Sequence, residues 1–188
     1  MKHSELIWKK MKENFKTITF EEKYGEESEN NSDLKFALKL LKKAEIAHQS
    51  NDLENAISLY KESIKSFPTA DAHTYLGWMY SLKGNLEEAI LECHKAIKID
   101  PDFGNPYNDI GCYLMQKKEF DNALPWFNQA KKAARYEPRH FPYLNVSRVK
   151  LIQGKHGQAK HELHQALMRE PDDENLKNKF RELVSLLN

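Results

Sequence analysis

The residues best equipped for chemistry in this 188-residue chain are eight histidines and two cysteines. The densest grouping is His156, His161 and His164. His161 and His164 stand one helical turn apart and could offer a metal two nitrogen ligands, while Glu162 points elsewhere on the same helix. A working metal site needs a third or fourth ligand held by supporting hydrogen bonds. None stands at a suitable spacing, so surface histidines are expected, with no metal and no other cofactor. Cys93 and Cys112 are too few for a disulfide framework and suit a reducing compartment. Cys112 is the better placed of the two for a reactive thiol, yet no motif beside it would activate one. Glycine-rich phosphate loops, Gly-x-Ser-x-Gly elbows and His-Glu-x-x-His pairs do not occur. The chain does not read as an enzyme.

Any remaining chemistry belongs to a surface, and the sequence states what carries it. Small residues recur as triplets: Ala44, Ala56, Ser63; Gly77, Ala89, Ala96; Gly111, Ala123, Ala130; Ser147, Ala159, Ala166. The inner spacing is twelve and seven each time, while the steps between triplets are 33, 34 and 36. A rigid inner spacing with elastic joints describes a repeated helical hairpin. Where two antiparallel helices cross closely, a large side chain would hold the backbones apart. Tyr60, Phe127 and Leu163, each four residues after the recurrent alanine, fill the space around the crossing. Cys93 takes that place in the second repeat and should be a buried small hydrophobe.

Apolar residues keep a 3.6-residue period on both sides of each polar break. The breaks fall around Ser50 to Asp52, at Gly84 and Asn85, at Gln116 to Glu119, and at Gly154 to Gly157. Each is short, so consecutive helices must be antiparallel neighbours. Pro68, Pro101 and Pro171 close the first, second and fourth hairpins, since proline cannot continue the preceding helix. The third closing proline is displaced to Pro138, which implies either a longer second helix or a wider joint.

The flanks differ. Residues 1–33 read as a short helix, Ser4 to Phe15 with Leu6, Ile7, Met11 and Phe15 on one face, followed by an acidic linker of Glu21, Glu22, Glu26, Glu27 and Glu29. After Pro171, Asp172 should cap a final helix through Leu187, whose apolar stripe covers the last repeat. The formal net charge of +1 argues against a general nucleic-acid binder. No stretch approaches the ~18–20 apolar residues of a membrane span. Lys9 and Lys10 interrupt the apolar start, so a secretory core is missing and a cytoplasmic location is expected.

The repeats resemble the tetratricopeptide repeat family over about residues 34–171. The second repeat carries His73, Leu76, Gly77, Tyr80, Ala89, Cys93, Ala96 and Pro101 at the signature positions; the third carries Tyr107, Ile110, Gly111, Leu114, Ala123, Phe127 and Ala130. The first (Leu40, Lys43, Ala44, Ala47) and fourth (Tyr143, Val146, Ser147, Lys150) are degenerate. The resemblance implies an all-α, right-handed α-solenoid of about four hairpins, at about 34–69, 70–103, 104–139 and 140–171. An N-terminal helix precedes it and residues 172–188 cap it. It also implies a concave surface, lined by the first helix of each hairpin, that takes an extended peptide or a partner helix.

Matched position by position, that surface comprises Glu45, His48 and Gln49, then Asp71, Thr74, Tyr75, Trp78 and Ser81. It continues through Asn105, Asn108, Asp109, Cys112 and Gln116, and ends on Phe141, Leu144, Asn145 and Arg148. Trp78 occupies a slot where core packing does not demand an aromatic, and tryptophan is a frequent binding anchor. Asn105, Asn108 and Asn145 are poor helix formers whose amides could pair with a bound backbone. Family members that clamp a C-terminal carboxylate of cytosolic heat-shock proteins do so with Lys, Asn and Arg. The matching positions here hold Leu41, Glu45, Tyr75, Asn105 and Asp109, which would repel a carboxylate. The expected function is a non-enzymatic adaptor holding a segment of another protein. The alternative is a structural subunit that self-assembles through repeat stacking or its N-terminal helix, giving a homo-oligomer. Phe20 and Tyr24 would also let residues 1–33 fill the surface themselves.

Overall fold

The computed structural model describes residues 31–185, and among them there are nine helices and no strand. They are α1 Ser32–Gln49, α2 Leu53–Ser66, α3 Ala70–Leu82, α4 Leu86–Ile99, α5 Gly104–Gln116, α6 Phe120–Lys132, α7 Phe141–Ile152, α8 His156–Leu167 and α9 Glu174–Ser185. The chain divides into two compact units, one ending at Ala72 and the other starting at His73. The expected N-terminal helix, Ser4 to Phe15, and the acidic linker lie outside the described residues, as does Leu187.

Each of the four hairpin turns is built from the same backbone bonds. Asn51, Gly84, Lys118 and Gly154 adopt positive φ of 60, 83, 63 and 69°. They recur at the 33, 34 and 36 steps of the small-residue triplets. In each turn the left-handed residue donates three residues back and its successor five back. The pairs are Asn51 to His48 and Asp52 to Ala47, Gly84 to Ser81 and Asn85 to Tyr80, Lys118 to Met115 and Glu119 to Leu114, and Gly154 to Leu151 and Lys155 to Lys150, all at 2.8–3.0 Å. This closure satisfies carbonyls that a helix end would otherwise leave without partners.

In the first unit, α1 and α2 form one hairpin. Asn31 starts it by accepting from the backbone N–H of Asp33 and Leu34, each at 3.1 Å. Ala44, Ala56 and Tyr60 are fully buried. Ser63 stands where other repeats carry alanine, and its hydroxyl donates to the Ala37 carbonyl at 2.8 Å. A buried serine is tolerated there because its polar atom has a partner.

In the second unit the glycines at the crossings are required by space. A Cβ on Gly77 would lie 2.9 Å from the Ala89 carbonyl oxygen, and one on Gly111 would lie 2.5 Å from the Phe127 ring. Ser147 replaces glycine in the last hairpin and donates to the Ala159 carbonyl at 2.8 Å. Cys93 is fully buried in one core with Ile110, Tyr113, Phe127, Val146 and Val149. Leu176 and Leu183 of α9 are buried with Leu163 and Ala166 of α8. Asp173, rather than Asp172, caps α9, accepting from Asn175 N at 2.8 Å and Leu176 N at 3.1 Å.

The displaced proline marks a wider joint. Helix α6 ends at Lys132, no longer than its counterpart α4, and residues 133–140 form an irregular connection. Its backbone pairs with the preceding joint: Arg135 N donates to Asp102 O at 3.0 Å, and Gly104 N to Arg135 O at 2.9 Å. The Arg135 guanidinium pairs with Asp100 and lies 4.1 Å over the Phe103 ring.

Candidate functional site

Helices α5 and α7 bring together four of the residues expected on a binding surface. The Asn145 amide donates to Asn108 Oδ1 at 3.0 Å, and Arg148 Nη1 donates to Asn145 Oδ1 at 3.1 Å. Both asparagine amides also reach Cys112 Sγ, at 3.4 Å from Asn145 and 3.8 Å from Asn108. The two asparagines are buried and Arg148 is exposed. A polar row therefore runs from the interior to a guanidinium at the surface. A guanidinium has five N–H donors, so one bond to Asn145 orients it and leaves others for an outside acceptor.

Asp109 stands beside this row. Burial pushes its carboxyl up to about 7, against a hydrogen bond from Asn108 that pulls it down. Cys93, Cys112, Tyr113 and Tyr136 are each raised first by burial and second by the charge of Asp109. The carboxyl thus lies among weakly solvated groups, where its charge is felt strongly. Cys112 itself is pushed up to about 12, so its thiol stays protonated at neutral pH. A protonated thiol is a poor nucleophile.

The other expected residues scatter. Tyr75 and Trp78 on α3 and Asn105 on α5 are partly exposed, while Gln116 is exposed. Ser81 uses its hydroxyl on the Trp78 carbonyl at 2.8 Å. Thr74 is buried. Leu144 was placed on the binding surface and instead sits in the core, because α9 closes Leu176 and Leu183 over the same cluster. Phe141 stacks on the buried His140 ring at 4.3 Å. In the first unit, Gln49 is exposed and His48 is buried. Glu45 is raised to about 7 by burial and then by the charge of Asp71, with Lys42 opposing.

Sequence reasoning missed the buried polar contacts inside the hairpins. His73 occupies the signature aromatic position, and its Nδ1 lies 2.6 Å from Glu92, which Lys95 also pairs at 2.7 Å. A histidine in a slot that normally stacks an aromatic ring was the available signal. Tyr143 was read only as a signature residue, yet Lys131 and Arg169 both lie against its ring, 4.4 and 3.8 Å from the centroid. Lys131 also pairs with Glu162 at 2.6 Å, which accounts for the glutamate between His161 and His164. Both of those histidines are exposed, and His164 packs on Phe180.

The tetratricopeptide repeat family matches residues 40–69, 70–103 and 105–136, more than half of the chain. The chain belongs to the tetratricopeptide repeat family. Its repeats are helical hairpins of the α-solenoid class, a repeat type that implies a protein–protein interaction scaffold. An SGT1 homolog from Oryza sativa subsp. japonica is 31% identical over 82 residues, 43% of this chain and 22% of that relative. The chain therefore spans less than a quarter of that relative's length. Among solved structures, pilF of Pseudomonas aeruginosa is 20% identical, with a TM-score of 0.76 over 82% of this chain and 70% of its own. PilW, a type IV pilus biogenesis factor, is 19% identical, with a TM-score of 0.72 over 80% and 70%. The first tetratricopeptide repeat domain of Spaghetti (RPAP3), bound to the HSP90 peptide SRMEEVD, is 22% identical, with a TM-score of 0.56 over 63% and 92%. These three likenesses are of fold.

Proposed function

We propose that the protein is a non-enzymatic adaptor that holds a segment of another protein on the polar face of α5 and α7. The row Asn108–Asn145–Arg148 carries this reading. Two buried amides that hold each other cannot both serve a ligand fully, so their role is to position. Arg148 is the group that touches the partner, and it would bind a backbone carbonyl or a carboxylate side chain. Trp78, partly exposed on α3 of the same unit, supplies apolar contact area, as tryptophans do at binding hot spots.

This assignment differs from capture of a free C-terminal carboxylate. Such capture uses several cations around one anion, whereas here one cation, Arg148, and one acid, Asp109, both act on Cys112. A segment presenting neutral carbonyls fits that mixture, with the carboxyl of Asp109 accepting or, when protonated, donating one bond. The solved relative with an HSP90 peptide lends support only to the general mode, a peptide on this fold.

The test is recovery of partners by pull-down with the full chain, followed by affinity measurements on variants. Arg148→Ala and Trp78→Ala should each weaken binding about tenfold or more, the equivalent of ~1.4 kcal/mol. Unchanged affinity in both would remove the proposal.

A further inference from the structure

Helix α1 carries a basic and apolar face that the partner contact assigned to Arg148 does not use. At 3.6 residues per turn, Lys42, Lys35, Ile46, Lys39, Lys43 and Phe36 follow one another round the helix within about 120°. All six are exposed, Phe36 by 51% and Ile46 by 57%. A single exposed apolar residue means little, but two set among four lysines on one arc make a pattern. The buried stripe of Leu34, Ala37, Leu41 and Ala44 lies on the opposite side. Neither acid of α1 falls within the arc, since half-buried Glu45 stands to one side of it and Asp33 beyond it in the first turn. Lys42, at the edge of the arc, also acts on Glu45. The charge over this face is of one sign.

The mixture of side chains selects among anionic partners. A nucleic-acid backbone would use the lysines and leave Phe36 and Ile46 without contacts. An extended acidic peptide needs a groove, and this face is the outward curve of a single helix. A bilayer surface offers a plane of anionic headgroups with an acyl boundary just below, into which apolar side chains dip. We infer that the exposed face of α1 docks on an anionic lipid bilayer. Phe36 and Ile46 enter the interface, and Lys35, Lys39, Lys42 and Lys43 stand at headgroup level.

The dimensions and the chemistry agree with this. The six side chains span about 16 Å of helix, so α1 would lie flat on the plane rather than cross it. Long lysine stems reach the headgroups while their methylenes rest beside the apolar pair. All four cations are lysines, whose compact charge suits diffuse attraction to a charged plane; arginine would suit paired recognition of one phosphate. Each lysine near such a surface strengthens partitioning about fivefold, which makes the attachment reversible and dependent on salt.

Co-flotation of the full chain with vesicles tests the inference. One set is phosphatidylcholine alone, the other equal parts of phosphatidylcholine and phosphatidylserine. Partitioning onto the anionic set should be about tenfold or more the stronger, and should fall steeply in about 0.5 M NaCl. The combined variant Lys35→Gln, Lys39→Gln, Lys42→Gln, Lys43→Gln should lose about a hundredfold or more. Phe36→Gln with Ile46→Gln should lose about tenfold or more while the preference for anionic vesicles remains. Both variants should keep the wild-type circular dichroism, because every changed side chain is exposed. Equal flotation with both vesicle types, no flotation with either, or wild-type flotation by either variant would overturn the inference. So would a Glu-rich peptide that binds through these residues when vesicles do not, which would make an acidic protein the partner.

Discussion

The side-chain amide of Asn145 on α7 donates to Oδ1 of Asn108 on α5 across 3.0 Å, and both side chains are buried. Each satisfies polar atoms of the other, so neither is a spare group on a solvated face. Removing one partner strands the other away from water, which costs more than the bond itself is worth. Asn145→Ala or Asn108→Ala should each lower stability by about 1–3 kcal/mol in urea unfolding. The double variant should cost less than the sum, with a coupling of about 1 kcal/mol.

Asp109 makes the stability depend on pH in an uncommon direction. Its carboxyl is raised by burial to about 7, against an ordinary value of 3.8. The folded state therefore holds a proton that the unfolded state has lost between those values. That contribution is complete below the unfolded value and disappears as pH rises through about 7. Asp109→Asn should flatten this slope and, at pH 8, raise stability on the order of 2 kcal/mol. Paired unfolding curves at pH 5 and 8 check it.

Glu92 acts in the opposite sense. Burial alone would raise its carboxyl, but the bonds from His73 and Lys95, with the charges of both, bring it below the ordinary value. Its contribution is present above the unfolded value, near 4.5, and is lost as pH falls through the lower folded value. Glu92→Gln should destabilise at pH 7 by about 3 kcal/mol, because a buried pair loses its anion. Much of that difference should vanish near pH 3.

Gly111 faces the Phe127 ring at a distance that leaves no room for a methyl group. Gly111→Ala should cost about 1–3 kcal/mol by overpacking. Phe127→Leu in the same chain should recover part of the loss, which distinguishes crowding from an effect on the helix backbone.

Lys118 occupies a left-handed turn position, φ 63°, where two other hairpins use glycine. A residue with a Cβ pays about 1 kcal/mol there. Lys118→Gly should therefore raise stability by about that amount and raise Tm, measurable by calorimetry.

The hairpins were legible because close helix crossings admit only small residues, and Gly77, Ala89, Gly111 and Ala123 record that limit directly. The candidate face was legible in part. Matching positions placed Asn108, Asn145 and Arg148 on adjoining helices, but not the bond that turns two of them inward. Leu144 lies in a cluster with Leu163 of α8 and Leu176 and Leu183 of α9, and the repeat pattern alone does not show which side chains the final helix covers. His140 carried no sequence signal, and Arg135 reads from the sequence as part of a solvated helix face with Lys131 and Lys132, because no periodicity predicts where the helix ends and what the irregular joint at 133–140 covers. The turn at Lys118 lacked the usual glycine, so its left-handed backbone carried no sequence signal.

The central claim is that Arg148, aimed by Asn145 and aided by Trp78, meets the partner. Its most direct test is the Kd of a partner captured by the full chain, compared among wild type, Arg148→Ala, Trp78→Ala and Lys98→Ala on exposed α4 surface. The account predicts a loss of about tenfold or more for Arg148→Ala and Trp78→Ala, with Lys98→Ala unchanged. Equal affinities across all four proteins would contradict it.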